Sequence, residues 1–277
     1  MPDDRRRLRF RFTKAGKIRF TSHRDVARMW ERALRRSRLP VAYSQGFAPH
    51  PLLSFGLALP TGCESRGEYV DVRLGRATVG ETPLPDLPEL MSELLPDGIE
   101  VQAVCPVDMA EGSLQQEVAS CDWELEVLGV SGVELAERVE RVLAAPSLTV
   151  RRERKGRPAD DDIRPAILKL SVTDSEGRLR AEVATHPRGV RPADLVTALG
   201  AGAASGRACR THQWIERDGA RFEPLALGGL GTRAVVTQHA RRDLPHVRDR
   251  HQPGDPGGSA PGGTVSTGLA SGGIGGH

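Results

Sequence analysis

An α+β fold is predicted, and three observations predict it. Apolar residues alternate at period two in several short runs. They recur every three or four residues in others. The two kinds of run follow one another in the order βαββαβ, and that order is used twice along the 277 residues. The pattern suggests two tandem ferredoxin-like lobes, residues 1–112 and 113–225, followed by a tail over 226–277.

The first strand is set by Leu8, Phe10 and Phe12, which alternate with Arg9 and Arg11 in the manner of a half-buried strand. Ala15-Gly16 turns the chain, and Ile18 and Phe20 continue a hairpin. Ser22 caps a helix with Asp25 three residues on, close to a capping box, and the helix ends near Arg38, before Pro40. Residues 41–59 are extended around a Gly/Pro loop, 68–74 alternate again, 87–95 form a short helix and 99–104 close the first lobe. In the second lobe 123–127 alternate and 133–144 are helical, with Leu135, Val139 and Val142 at helical spacing. A strand starts at 148–150. Residues 166–172 and 179–183 bracket a turn at 174–177, 192–199 form a helix and 208–215 the last strand. The tail is dominated by Gly, Pro, Ser and His without apolar periodicity, and is expected to be disordered.

Composition narrows the function classes. Aromatic residues make up only 4% of the chain, so the core rests on Leu, Val and Ala. No stretch approaches the ~20 apolar residues that cross a bilayer. The basic N-terminus has no apolar run behind it, so no secretory signal is expected. Cysteines 63, 105, 121 and 209 form neither a C-x-x-C pair nor a zinc spacing. Reduced thiols and a cytoplasmic location are the simplest reading. No iron–sulfur, Walker A, G-x-S-x-G or strand-following G-x-G-x-x-G motif occurs, and neither a cofactor nor a metal is expected.

The net charge of +3 hides a strong asymmetry. Residues 1–40 hold 14 Lys/Arg against 4 Asp/Glu, and residues 41–130 hold 3 against 15. On the helix that follows Ser22, Val26, Met29, Trp30, Ala33 and Leu34 form an apolar face, while Arg24, Arg28, Arg32, Arg35 and Arg36 fall on a separate stripe. A helix that bears this repulsion suits a polyanion. Arg9, Arg11 and Lys14, with Lys17 and Arg19, extend the charge onto the preceding strand. Two plainer readings compete: a solvated face, or pairing with the acidic stretch of the same lobe.

The loop YSQGFAPHPLLSFG is the second unusual stretch. Gly46 and Gly56 permit positive φ, and Pro49 and Pro51 restrain the chain around His50. Tyr43, Phe47 and Phe55 offer flat faces for stacking on bases, unless the phenylalanines plug the core. His23 or His50 is a candidate general base in RNA cleavage, and the two, if they meet, could with Asp25 bind a metal.

The blocks RFRFTKAGKIRFTSHRD, ERALRRSRLPVAYSQGFAPHP, LSFGLALPTGCES and EYVDVRL occur in that order. They resemble the bacterial radical SAM-linked proteins, densely over residues 7–74 and more loosely to about residue 216. The resemblance implies a radical SAM enzyme as partner, by fusion or association. It implies no assigned reaction and no catalytic residues. The family usually has an apolar residue where this chain has Arg24, and an asparagine where it has Ala48. The expected function is an RNA-binding accessory protein, more a non-catalytic factor than an enzyme. The alternatives are a metal-independent endoribonuclease using His23 or His50, and a protein-interaction module docking a radical SAM enzyme.

Overall fold

The computed structural model describes residues 7–75, 84–154, 156–173 and 177–225. The expected tail over 226–277 and most of the turn at 174–177 lie outside the described residues.

The chain begins with β1 (Arg7–Lys14), α1 (His23–Arg36), β2 (Leu53–Phe55), β3 (Glu64–Arg73), α2 (Leu87–Leu94) and β4 (Val101–Val107). A single-turn helix α3 (Leu114–Glu117) leads into β5 (Val118–Leu128), α4 (Gly132–Ala144), β6 (Thr149–Arg154) and β7 (Arg157–Asp162). Then come β8 (Ile167–Val172), β9 (Arg178–Ala184), α5 (Pro192–Ala198), β10 (Ala204–Arg217) and β11 (Ala220–Phe222). The fold is α+β. One nine-stranded sheet runs β4-β1-β3-β10-β5-β9-β8, with β2 beside β3 and β11 beside β10. The opening strand of each half is an inner one, β1 between β4 and β3 and β5 between β10 and β9. Within each half the pairs are antiparallel; the halves join where Cys209 and Arg210 of β10 run parallel to Glu64 and Ser65 of β3.

The period-two and period-3.6 patterns explain the packing. Leu8, Phe10 and Phe12 on β1 meet Val26, Trp30, Ala33 and Leu34 of α1 and Met91 of α2 in one core. The Trp30 ring lies 5.6 Å from Phe10 and 5.1 Å from Phe12. Each of the buried Val, Leu, Phe and Met side chains contributes roughly 1.5–3 kcal/mol. A second core joins Leu125 and Val127 of β5, Leu135, Val139 and Val142 of α4, Leu179 of β9, and Leu195 and Val196 of α5.

One expectation is corrected. Ile18 and Phe20 do not continue a hairpin: residues Gly16–Phe20 wind into a 3₁₀ turn. Gly16 has φ +69°, a conformation that favours glycine, and the Thr21 amide closes onto Ile18 O at 3.0 Å. The Lys14 ammonium then donates to the carbonyls of Arg19 and Thr21, at 3.3 and 2.9 Å, which holds the turn against the sheet end. The strand expected to start at 148–150 is present. It is β6, which pairs only with β7 in a separate ribbon. Among the described residues, no helix is long and apolar enough to cross a membrane.

Candidate nucleic-acid interface

The helix α1 is built as its sequence implies. The Ser22 hydroxyl accepts the Asp25 amide at 3.2 Å and donates to the Asp25 carboxylate at 2.7 Å, satisfying the free first turn. Trp30 and Ala33 are fully buried, with Val26 and Leu34 beside them. Arg24, Arg28, Arg32, Arg35 and Arg36 are all exposed, as is Arg38 just past the helix end. Arg28 reaches Asp25 at 3.4 Å across a solvated surface, and Arg35 donates to Pro49 O at 3.4 Å. Among the described residues, Arg24, Arg32, Arg36 and Arg38 have no ion-pair partner. Arg35 and Arg36 in the last turn complement the negative end of the helix dipole.

The loop stands against this helix. Tyr43 bridges Pro51, the Ser44 amide donates to His50 O at 2.9 Å, and the His50 amide donates to the Ser44 hydroxyl at 3.0 Å. These bonds close a small hairpin whose tip, residues 45–49, is exposed. Gly46 at φ +128° lets the tip turn, and Phe47 beside it is fully exposed. His50 Nδ1 lies 3.8 Å from Glu31 of α1, so two contacts, His50–Glu31 and Pro49–Arg35, fasten the loop to the arginine helix. Tyr43 is exposed at the base of the loop. Phe55 is not available for stacking: β2 pairs it with Val70, and its ring packs edge-on against Phe12 and His23.

His23 and His50 do not form a pair. His23 opens α1 and contacts Phe55, whereas His50 faces Glu31, eight residues further along the helix, or about 12 Å at its rise. Neither is linked to Asp25, which is engaged by Ser22 and Arg28. Among the described residues, no group of three or more His, Cys, Asp or Glu side chains is placed to hold a metal.

The cations of β1 are corrected most sharply. Arg9, Arg11 and Lys14 are at most 3% exposed and do not belong to a phosphate-facing surface. Arg9 forks onto Asp71 at 2.7 and 3.0 Å. Arg11 donates to Glu223 at 2.7 Å, to Leu225 O at 3.1 Å and to Gln102 at 3.2 Å. Burial works against the Arg9 charge, but Asp71 more than restores it and its pKa lies above the ordinary value. For Lys14 burial wins: its pKa is lowered, and Glu68 and Cys63 offset this only in part.

Several features had weaker sequence signals. At the junction of the halves, Arg210 is buried on Glu68, with contacts of 2.7 and 3.0 Å. Arg19 covers the ring of the exposed Phe20 at 4.5 Å. In the second half Arg221 lies over Trp214 at 4.2 Å and His212 stacks on it at 5.1 Å. A shallow pocket of about 420 Å³ opens beside Lys169, Arg217 and Arg221. Its cations are already engaged: Lys169 and Arg221 sit on Glu182 at 2.9 and 2.6 Å, and Arg217 on Glu117 at 3.1 Å. An anion there competes with the protein's own carboxylates.

Fold and surface together define an α+β protein with one cationic helix open to solvent beside an aromatic-tipped loop. The chain belongs to the bacterial family described as "Uncharacterized protein conserved in bacteria (DUF2344)", whose pattern matches residues 7–192. That span contains the whole of α1 and the loop, and stops short of residue 216. None of the curated proteins matches the chain.

Proposed function

We propose that this protein binds RNA through the exposed arginine row of α1 and the adjoining loop, as an accessory factor for a radical SAM enzyme. The observation that carries the RNA reading is the solvent exposure of Arg24, Arg28, Arg32, Arg35 and Arg36, with only Asp25 paired to the row among the described residues. Phosphates release condensed counterions when they meet such a row, which gives affinity with little sequence choice. The enzyme partner rests on the resemblance of the sequence blocks alone.

We read each half as a ferredoxin-like lobe, residues 1–112 and 113–225. The repeated strand order supports this. Among the described residues none of the four cysteines forms a disulfide, which fits a reducing cytoplasm. The separation of His23 from His50 leaves the nuclease alternative to either histidine acting alone.

Filter binding of the full chain to a mixed RNA pool at two salt concentrations tests the reading. Retention at low salt should fall steeply as salt rises. Arg28→Glu with Arg32→Glu should weaken it at least about ten-fold, since each lost phosphate contact also removes ~0.7–0.9 from the log–log salt slope. No retention at low salt overturns the proposal.

A further inference from the structure

The geometry points to unpaired RNA, a single strand or an open loop, as the ligand of this surface, with Phe47 as the platform for one base. The inference rests on the RNA reading above and narrows it. Three aromatic rings in or near the loop could have served. Phe55 is packed against Phe12 and His23, and Tyr43 sits at the base of the loop beside Pro51. Phe47 alone is fully exposed, at the tip.

An exposed phenylalanine at a loop tip is costly to leave in water. Here the loop that carries it is restrained rather than loose. The Ser44–His50 bonds close it, two prolines stiffen it, and the Arg35 and Glu31 contacts fasten it to α1. A ring held in this way loses little freedom when a base stacks on it.

The position of the ring decides the ligand class. Arg24, Arg28 and Arg32 recur at four-residue intervals, about 6 Å apart along the helix axis. That is a step close to successive phosphates of an extended strand. Arg35, the next member of the row, touches the loop itself. A strand laid on the row therefore reaches the loop that carries Phe47. In a duplex the bases are stacked on each other and face inward, so the helix could still hold phosphates but the ring would find no free base face. Phe20 provides an internal contrast, because one face of its ring is already covered by Arg19.

Fluorescence anisotropy with labelled single-stranded oligouridine of about 12 nucleotides, and with a blunt RNA duplex of the same length, separates the possibilities. The full chain should prefer the single strand by roughly ten-fold or more. Phe47→Ala should lose about that factor on the single strand and leave duplex binding unchanged. Phe47→Trp should restore it, and its added emission should be quenched on binding, a signal that the buried Trp30, Trp123 and Trp214 do not give. Phe20→Ala should have the smaller effect. Equal binding of both RNAs with a silent Phe47→Ala, while Arg28→Glu with Arg32→Glu weakens both, overturns the stacking inference and leaves the RNA reading standing. Binding of neither RNA overturns both. Binding only to phosphatidylserine vesicles, lost in Phe47→Ala, also overturns both and assigns the surface to a membrane.

Discussion

The arginines of β1 and those of α1 lie in adjacent elements of one chain and meet opposite fates. On β1 they alternate with Leu8, Phe10 and Phe12, so period two sends them to the other face of the sheet. That face is covered by the distant segment around Glu223–Leu225. On α1 they recur at three and four residues, directly opposite Trp30 and Ala33, and face water. Each buried guanidinium has a carboxylate: Asp71 for Arg9, Glu223 for Arg11, Glu68 for Arg210. Removing an ion from water costs several kcal/mol, so an unpaired arginine would not stay buried. The exposed row carries no such requirement. The lesson is that charge along a sequence does not measure charge on offer to a ligand. The cations of β1 count toward the N-terminal excess, yet they are already neutralised inside the fold.

The sharpest way to break this comparison is at Asp71. Its side chain is 2% exposed and faces both Arg9 and, at 3.6 Å, Arg7. Asp71→Ala leaves the Arg9 charge in the interior without its forked partner and should cost about 3–5 kcal/mol in urea unfolding. Arg9→Met with Asp71→Leu, which removes both charges together, should recover most of that loss. A silent Asp71→Ala would mean that Arg9 is not the structural cation described here. Next in size is Glu223→Gln. Arg11 keeps Gln102 and Leu225 O, so the expected loss is about 1–3 kcal/mol by the same measurement.

A smaller effect comes from His212, half-buried beside Arg221 and Trp214. Burial lowers its pKa; Glu223 and Asp122 oppose this, and Arg11 and Arg221 reinforce it. The unfolded chain therefore takes up a proton, at about pH 6.5, before the folded one does. Stability held above that value should decline as pH falls from there through the folded value, a small effect because over a third of the imidazole is in water. Asp122 shifts upward through burial and pulls the other way at lower pH, so the window to examine is between neutral pH and about 5.5. His212→Gln should flatten thermal midpoints measured across that window; an unchanged slope would show that the imidazole titrates freely.

Much of this was legible in the residues, and the limits have physical causes. The apolar face of α1, the Ser22 cap and the alternation of β1 are local signals, and the structure carries all three. What covers the second face of β1 is not local: Arg11 finds Glu223 and Leu225 at separations of 212 and 214 residues. Phe47 and Phe55 share one loop and look alike in sequence. Strand register places Phe55 opposite Val70 and under Phe12, whereas Gly46 at φ +128° turns Phe47 outward. The 3₁₀ turn at Gly16–Phe20 was hidden because Ile18 and Phe20 alternate as strand residues do, while the Lys14 contacts that hold the turn are tertiary.

The least disruptive substitutions sharpen the other side of the comparison. Arg24 and Arg36 lie near the two ends of the row, exposed and, among the described residues, without an ion-pair partner. Replacing both with alanine removes like-charge repulsion of a few tenths of a kcal/mol along the helix, offset in part by the lost dipole contact of Arg36, and no buried contact. Helix propensity rises slightly at the same time. Thermal unfolding should therefore be unchanged or shift marginally upward, in contrast to Asp71→Ala. The same variant should lower the log–log salt slope of single-stranded RNA binding by about 1.4, or ~0.7 for each phosphate released. An unchanged slope would place the phosphate path along Arg28, Arg32 and Arg35 only. A large loss of stability would show that arginines at the ends of α1 hold the fold as those of β1 do, and the division between buried and available cations would not stand.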